Sequence, residues 1–118
     1  MLLFKQFSFD SAHFLPNVPI GHKCKEMHGH TYHLKVWLEG PLHPELGWVM
    51  DFAELKAVVK PVVERLDHKC LNNIAGLRNP TCEQIAVYIW DNIKPFLPLL
   101  VKVELHETPT SGVIYNGK

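Results

Sequence analysis

The residues of this chain best suited to metal chemistry are two histidines separated by one glycine, His28-Gly29-His30. They begin a segment that alternates like a β-strand, and residues i and i+2 of a strand point to the same face. Both imidazoles can therefore hold one ion. The apolar residues of the same parity continue this face and are expected in the core: Tyr32, Leu34, Val36 and Leu38. The pattern predicts metal ligands at the end of a strand that is anchored in a sheet.

A third ligand is available in His13, which ends the first strand-like run of the chain. Two neighbouring strands would bring His13 beside His28 and His30. Three histidines without an evident fourth protein ligand are typical of a catalytic zinc site, whose remaining position is open to water or substrate. The competing interpretation is three ordinary surface histidines. We favour the metal, because Cys24 also lies close by in the sequence.

Cys24 stands four residues before His28, between Lys23 and Lys25. The thiolate is the reactive form of cysteine, and nearby cations or a metal favour it. Cys24 is therefore a candidate base or nucleophile. Two alternatives stay open: an inert thiol, or a fourth ligand that would close a structural Cys-His₃ site. The other cysteines, Cys70 and Cys82, lack histidine-rich surroundings, and we interpret them as structural.

Three further residues carry candidate acid–base or binding chemistry. Asp67-His68 follows directly on a helical pattern, and a carboxylate can fix the tautomer of a histidine that titrates near neutral pH. Glu107 falls on the apolar parity of a late strand. An isolated buried carboxylate is costly, so Glu107 must be paired or face a ligand pocket. A carboxylate can accept two parallel N–H bonds from an amidine-like edge. His33 has the opposite strand parity and is not expected to be a ligand.

Composition limits the class of protein. The chain has 118 residues, 47% of them hydrophobic and 20% charged, which predicts one globular domain over residues 1–118. Its formal net charge is zero and it has no basic tract, which argues against a nucleic-acid partner. Its apolar stretches are too short to span a membrane. The first residues lack the pattern of a signal peptide, and three scattered cysteines indicate a reducing setting, so we expect a cytoplasmic protein.

The elements that must position these residues follow from periodicity and capping patterns. We expect strands at 2–13, 28–40, 101–106 and 113–115, a short extended piece at 48–50, and helices at 52–66 and after Thr81. Asp51 and Glu54 form a capping-box pattern at the start of the first helix, and Pro61 should kink that helix. The order strand, strand, helix, helix, strand, strand predicts an α+β fold: a four-stranded antiparallel sheet with both helices on one face.

With these residues assembled, the chain resembles the 6-pyruvoyltetrahydropterin synthase family, and within it the bacterial branch of 6-carboxytetrahydropterin synthases. The resemblance runs over essentially the whole chain. It rests on Phe9-Asp10-Ser11-Ala12-His13, Cys24-x-x-x-His28-Gly29-His30, Asp51-Phe52-x-x-Leu55-Lys56, Leu66-Asp67-His68, Asn79-Pro80-Thr81-x-Glu83 and Glu107-Thr108. These motifs in this order are specific, whereas His-Gly-His alone would be weak.

The resemblance implies the tunnelling fold, whose ββααββ subunits form trimers that stack into a homohexamer with active sites between subunits. It implies one zinc per subunit, bound by His13, His28 and His30. By the same resemblance Cys24 is the base that moves protons on the substrate side chain, and Asp67 and His68 relay protons. Glu107 holds the guanidine-like edge of a pterin, and Thr81 lines the pterin pocket.

The reaction implied is the conversion of 7,8-dihydroneopterin triphosphate to 6-carboxy-5,6,7,8-tetrahydropterin, with release of acetaldehyde and triphosphate, in queuosine biosynthesis. The spacing between Cys24 and His28 is similar to that of this branch. The alternative is the pyruvoyl branch, which keeps the three-carbon side chain. A folate-linked branch has a glutamate in place of the cysteine, and Glu26 lies close enough to leave a side activity open. Lys23 and Lys25 are candidate triphosphate contacts.

Overall fold

The fold is a four-stranded antiparallel sheet packed against two helices. The structure is a computed structural model that describes residues 1–118. The strands pair in the order β1-β2-β3-β4, each antiparallel to its neighbour. The elements are β1 (Leu2–His13), β2 (His28–Glu39), α1 (Phe52–Leu66), α2 (Cys82–Ile93), β3 (Leu100–Thr108) and β4 (Ser111–Tyr115). The predicted α+β class and element order are confirmed.

Both helices begin at the residues that the sequence indicated. The Asp51 carboxylate accepts a hydrogen bond from the backbone N–H of Ala53 at 2.9 Å. The hydroxyl of Thr81 accepts one from the N–H of Gln84 at 3.1 Å. Each bond satisfies one of the backbone donors that a helix leaves unpaired in its first turn. The first helix is continuous through Pro61, at the boundaries predicted for it.

The core lies between the helices and one face of the sheet, where α1 packs against β1 and α2 packs against β3 and β4. Along β2 the predicted inward residues are fully buried, whereas His33 on the opposite face is exposed. Tyr32 stacks on Phe9 of the neighbouring strand with ring centroids 4.9 Å apart. A single cluster of 21 buried side chains joins both helices to strands β1, β2 and β3, and the partly buried Val113 and Tyr115 of β4 pack against it.

Two local predictions were wrong. Residues 48–50 form bends rather than an extended piece. The strands expected at 101–106 and 113–115 are both longer, because β3 continues to Thr108 and pairs there with Ser111, which leaves a tighter turn between them. No helix of the protein combines the length and the apolar character needed to cross a bilayer.

Candidate active site and metal centre

The histidines His13, His28 and His30 converge at one end of the β1–β2 pair. The register places His13 opposite His28 and Ser11 opposite His30. The ring centroid of His13 lies 4.5 Å from that of His28 and 5.2 Å from that of His30. The rings stand edge to face, so their nitrogens can turn toward a common point. These ligand atoms and a carboxylate oxygen of Glu107 all lie within 4.8 Å of one another.

Backbone carbonyls fix the orientation of two of these rings. The Nδ1 atom of His13 lies 2.8 Å from the carbonyl oxygen of Pro80, and Nδ1 of His28 lies 2.8 Å from that of Glu26. A carbonyl only accepts, so in each ring the proton is on Nδ1 and the lone pair is on Nε2. This is the arrangement by which metal-binding histidines are usually held. Sequence patterns do not reveal these carbonyl partners, because the contacts depend on the path of the backbone in the folded chain.

His13 is fully buried, with no exposed side-chain surface. Burial, and more weakly the charges of His28 and His30, lowers the pKa of His13, while the Pro80 carbonyl and Glu107 act in the opposite direction. Its imidazole is therefore held neutral near neutral pH. A neutral imidazole is the form that binds a metal.

A β-bulge brings Glu107 into this cluster. His106 pairs with Gly112 and Thr108 with Ser111, so Glu107 has no partner of its own on β4. Bulges of this kind re-aim side chains and occur next to active sites. A Cβ on Gly112 would come within 2.5 Å of the Leu105 carbonyl oxygen, so the tight pairing beside the bulge requires glycine. The inward parity predicted for Glu107 holds, but the bulge was not evident from the sequence.

The Glu107 carboxylate faces two of the histidines. Its Oε1 lies 2.9 Å from Nε2 of His30 and 3.3 Å from Nε2 of His13. Nonetheless the buried Nε2 of His30 has no hydrogen bond of acceptable geometry. A buried nitrogen without a partner is costly in a folded protein. Three imidazoles and one carboxylate, with one imidazole nitrogen left unsatisfied, form a donor set that fits zinc.

Cys24 borders the cluster without joining it. The sulfur is not among the four ligand atoms that lie together, where Glu107 stands instead. Cys24 does line a cavity of about 440 Å³ next to the histidines. The other residues around this cavity are Lys23, His28, His30, Glu107, Thr108 and Ser111. The geometry therefore favours a thiol beside an open metal site over a closed Cys-His₃ site.

The Asp67-His68 pair is held against the free edge of β1. The N–H of His68 donates to the Asp10 carbonyl at 2.6 Å, and the N–H of Ala12 donates to the Lys69 carbonyl at 3.0 Å. The N–H of Asp10 in turn donates to Oδ1 of Asp67 at 2.9 Å. The segment thus continues the sheet for a few residues, and this docking fixes where the end of α1 lies. Sequence reasoning named the pair but not Asp10, whose carboxylate also lies beside it.

Within the pair, Oδ2 of Asp67 lies 3.0 Å from Nδ1 of His68. The backbone N–H of Asp10, followed by the His68 side chain, lowers the pKa of the Asp67 carboxyl. An ionised Asp67 holds the proton of His68 on Nδ1 and leaves Nε2 facing solvent. His68 has a φ of 56°, the only positive φ outside glycine in the chain. Such backbone outliers concentrate at functional sites.

His68 and Cys24 do not line the same cavity. His68 borders a second cavity of about 540 Å³, together with Asp10, Lys69 and His30. Only His30 borders both cavities. Within this chain, therefore, Cys24 and His68 border different cavities beside the histidine cluster.

Comparison with known proteins identifies the family of the chain. A sequence profile described as 6-pyruvoyl tetrahydropterin synthase matches residues 2–118. The chain belongs to the 6-pyruvoyl tetrahydropterin synthase family. This confirms the resemblance that the motifs indicated, and the match extends over nearly the whole chain.

Relatives within the family carry different activities. The chain is 39% identical to 6-carboxy-5,6,7,8-tetrahydropterin synthase of Synechocystis, over 97% of this chain and 92% of the relative. It is 44% identical to dihydroneopterin monophosphate aldolase of Pyrococcus furiosus, over 82% and 78%. The structure of Caenorhabditis elegans 6-pyruvoyl tetrahydropterin synthase superposes with a TM-score of 0.93 at 29% identity, covering 100% of this chain and 96% of that one.

Membership in the 6-pyruvoyl tetrahydropterin synthase family settles two broader questions. The chain has the tunnelling fold of these enzymes, as predicted. It is an enzyme of pterin chemistry, so the alternative of a purely structural Cys-His₃ zinc interaction module was wrong, whereas the role of Cys24 stays a prediction.

Other residues singled out in the sequence have clear places in the structure. Thr81 caps α2 and does not line either cavity, so its role in a pterin pocket stays a prediction. Its neighbour Pro80 supplies the carbonyl that orients His13.

Cys82 is buried, and burial raises the pKa of its thiol to about 12. That thiol is protonated at neutral pH, which fits the structural role expected of it.

Proposed function

We propose that this enzyme is a zinc-dependent lyase of queuosine biosynthesis. It converts 7,8-dihydroneopterin triphosphate and water to 6-carboxy-5,6,7,8-tetrahydropterin, acetaldehyde and triphosphate. The observation that carries the proposal is the cavity in which Cys24 lies beside His28, His30 and Glu107. The extended similarity to the Synechocystis 6-carboxytetrahydropterin synthase supports this branch of the family.

His13, His28 and His30 would hold the zinc through their Nε2 atoms. Two of these atoms carry a lone pair because the opposite nitrogen donates to a carbonyl. The bound ion would polarise the side-chain oxygens of the substrate and acidify the adjoining C–H bond. Glu107 would accept N–H bonds from the guanidine-like edge of the pterin and so orient the ring.

Cys24 acts as the base of the first step. Its thiolate removes a proton from the substrate side chain, and the resulting electron pair moves to expel triphosphate from the terminal carbon. His68, oriented by Asp67, returns a proton to the rearranged side chain through Nε2. Tautomerisation then moves the two hydrogens of the inner carbinol, one from its carbon and one from its hydroxyl, onto C6 and N5 of the ring, so that the side chain is oxidised as the ring is reduced. Together with the loss of triphosphate, this leaves a three-carbon diketone on the tetrahydropterin ring. Addition of water between its carbonyls then gives the carboxylate and acetaldehyde, which balances the atoms.

The separation of Cys24 from His68 supports an assembled active site. One subunit places them on two cavities that share only His30. Two subunits packed together would bring the Cys24 side of one chain to the His68 side of another. We therefore propose a homohexamer, a dimer of trimers, with active sites between subunits.

The main alternative is the pyruvoyl branch, in which the reaction ends after triphosphate is lost. The close superposition of the fold on the C. elegans 6-pyruvoyl tetrahydropterin synthase supports this alternative. The similarity to the Pyrococcus aldolase adds a third candidate reaction, in which the same side chain is cleaved without elimination of phosphate. The three reactions leave different fragments and are therefore separable by product analysis.

The decisive experiment incubates the zinc-loaded protein with 7,8-dihydroneopterin triphosphate and measures acetaldehyde and the pterin formed. We expect equal amounts of acetaldehyde, triphosphate and 6-carboxytetrahydropterin. Triphosphate without acetaldehyde would assign the protein to the pyruvoyl branch. A phosphorylated two-carbon aldehyde would indicate an aldolase. A Cys24→Ala variant with the same zinc content serves as the control for background breakdown of the substrate.

A further inference from the structure

Asp10 contacts both members of the Asp67-His68 pair. Its backbone N–H donates to Oδ1 of Asp67 at 2.9 Å, and its carbonyl oxygen accepts from the N–H of His68 at 2.6 Å. Its carboxylate also lies close, because an oxygen of Asp10, an oxygen of Asp67 and a nitrogen of His68 all fall within 4.8 Å of one another. Asp10 therefore approaches the pair with three of its polar groups.

A hydroxyl on the neighbouring strand fixes the carboxylate of Asp10. Asp10 and Thr31 lie opposite each other in the register of β1 and β2, and Oγ1 of Thr31 donates to Oδ1 of Asp10 at 2.5 Å. A hydrogen bond to a charged acceptor is shorter and stronger than one between neutral groups. Both residues are exposed, so without this bond the carboxylate would be free to rotate into solvent. The bond therefore determines where the negative charge of Asp10 lies relative to the His68 ring.

The side chain of Asp10 is not needed to dock the segment that follows α1. The buried hydroxyl of Ser11 donates to the carbonyl oxygen of Leu66, and the N–H of Ala12 donates to the Lys69 carbonyl at 3.0 Å. The two backbone bonds of Asp10 also persist when its side chain is changed. The carboxylate adds a second negative group beside the imidazole of the pair, and this group can be removed while the segment stays docked.

The His68 ring has a single direct polar contact within the chain. Oδ2 of Asp67 lies 3.0 Å from its Nδ1, which fixes the tautomer but leaves the ring free to pivot, and the side chain of His68 is 78% exposed. In the proposed reaction the ring carries the proton that it returns to the substrate, so it is cationic before the transfer. A second carboxylate nearby attracts this cation and opposes its rotation toward solvent. Small errors in the placement of a catalytic group strongly reduce the rate, so this restraint matters for turnover.

We infer that Asp10, held by Thr31, is a positioning residue of the proposed proton relay. The inference rests on the proposed function. The hydroxyl of Thr31 orients the Asp10 carboxylate, and the carboxylate keeps the His68 ring turned into the cavity of about 540 Å³ that all three residues border. Because Thr31 directly follows His30, the Asp10–Thr31 bond also joins a strand of the histidine cluster to the relay.

Steady-state kinetics of zinc-loaded variants with 7,8-dihydroneopterin triphosphate test the Asp10–Thr31 bond. Thr31→Val and Asp10→Ala each remove one partner, and we expect kcat to fall about tenfold in both, with KM and zinc content unchanged. Thr31→Ser keeps the hydroxyl and should retain most of kcat. Valine favours a strand more than serine does. If Thr31 served only the sheet, Thr31→Ser would therefore be the more impaired variant, and the inference would be overturned.

The double variant Thr31→Val/Asp10→Ala shows whether the two residues act together. If they do, its kcat equals that of Asp10→Ala, whereas independent effects would multiply to a loss of about a hundredfold and would exclude the proposed unit. Ser8→Ala is the matched control, because Ser8 is the preceding outward residue of β1 and is also exposed. It should keep the kcat of the parent protein.

NMR relaxation of the imidazole Cε1–H bond measures the His68 ring itself and needs no substrate. The signal is assigned by its loss in His68→Ala. We expect lower order parameters for this bond in Thr31→Val and Asp10→Ala than in the parent protein and Thr31→Ser. An unchanged order parameter, or an unchanged kcat in these two variants, would overturn the positioning role. A parent protein that forms no 6-carboxytetrahydropterin would overturn the proposed function, and the order parameters would still decide whether Asp10 and Thr31 position the ring.

Discussion

Glu107 and His30 approach to 2.9 Å between Oε1 and Nε2 without forming a hydrogen bond. At this position Glu107 could have either of two roles: it could bind the pterin, or it could be a fourth ligand of the zinc. If it binds the pterin, then the three histidines are sufficient to hold zinc. If it is a fourth ligand, then zinc binding depends on its charge.

We expect Glu107→Gln to keep its zinc and to lose turnover. An amide cannot accept two charge-assisted bonds from a guanidine-like edge, so kcat/KM should fall by about a hundredfold or more. The measurements are zinc content per subunit and steady-state kinetics. Glu104→Gln, on the outward parity of the same strand, is the control and should remain active. Loss of zinc from Glu107→Gln would instead identify Glu107 as a ligand.

Replacement of His13 should remove the metal and weaken the fold. His13→Ala deletes one of three imidazole ligands and leaves the carbonyl of Pro80 without its partner inside the core. An unpaired buried acceptor costs about 1–3 kcal/mol of unfolding free energy. Zinc analysis and thermal denaturation test both effects. His33→Ala, on the exposed face of β2, should change neither, and full zinc occupancy in His13→Ala would contradict the assigned ligand set.

Cys24→Ala should retain zinc and thermal stability while turnover falls by about a hundredfold to ten-thousandfold, the usual contribution of a general base. The reason is that the sulfur lies outside the group of four ligand atoms. Product formation and zinc content are measured on the same preparation. Cys70→Ala serves as the comparison, since Cys70 lies outside the cavity. A parallel loss of zinc and fold in Cys24→Ala would show that the thiol is a ligand.

The lowered pKa of the Asp67 carboxyl predicts that the free energy of unfolding depends on pH. Its pKa in the folded protein is lowered, first by the Asp10 N–H and then by His68. A lowered pKa means that the charged form favours the folded state. This contribution is fully present above the unfolded value of about 3.9, and it disappears as the pH falls through the folded pKa.

Asp67→Asn should therefore be less stable than the parent protein near neutral pH, and the difference should shrink on acidification below about pH 4. Urea denaturation at a series of pH values measures it. Asp91→Asn, at an exposed position of α2, controls for the loss of one charge. A difference between Asp67→Asn and the parent that stayed constant across this range would show that the carboxylate does not supply the stabilisation.

Local patterns in the sequence were sufficient to predict the elements and the histidines that the structure brings together. Strand alternation placed His28 and His30 on one face, and capping residues fixed the start of both helices, because these signals depend on neighbours within a few positions. The motif order was enough to indicate the family.

The tertiary structure decided how these residues meet. The bulge at Glu107, the carbonyls that orient His13 and His28, and the docking of Asp67-His68 on β1 all join segments distant in the chain. The division of Cys24 and His68 between two cavities also appeared only here. Hydrogen bonds and close packing between remote segments depend on the backbone path of the whole chain, and periodicity along the sequence carries no record of that path.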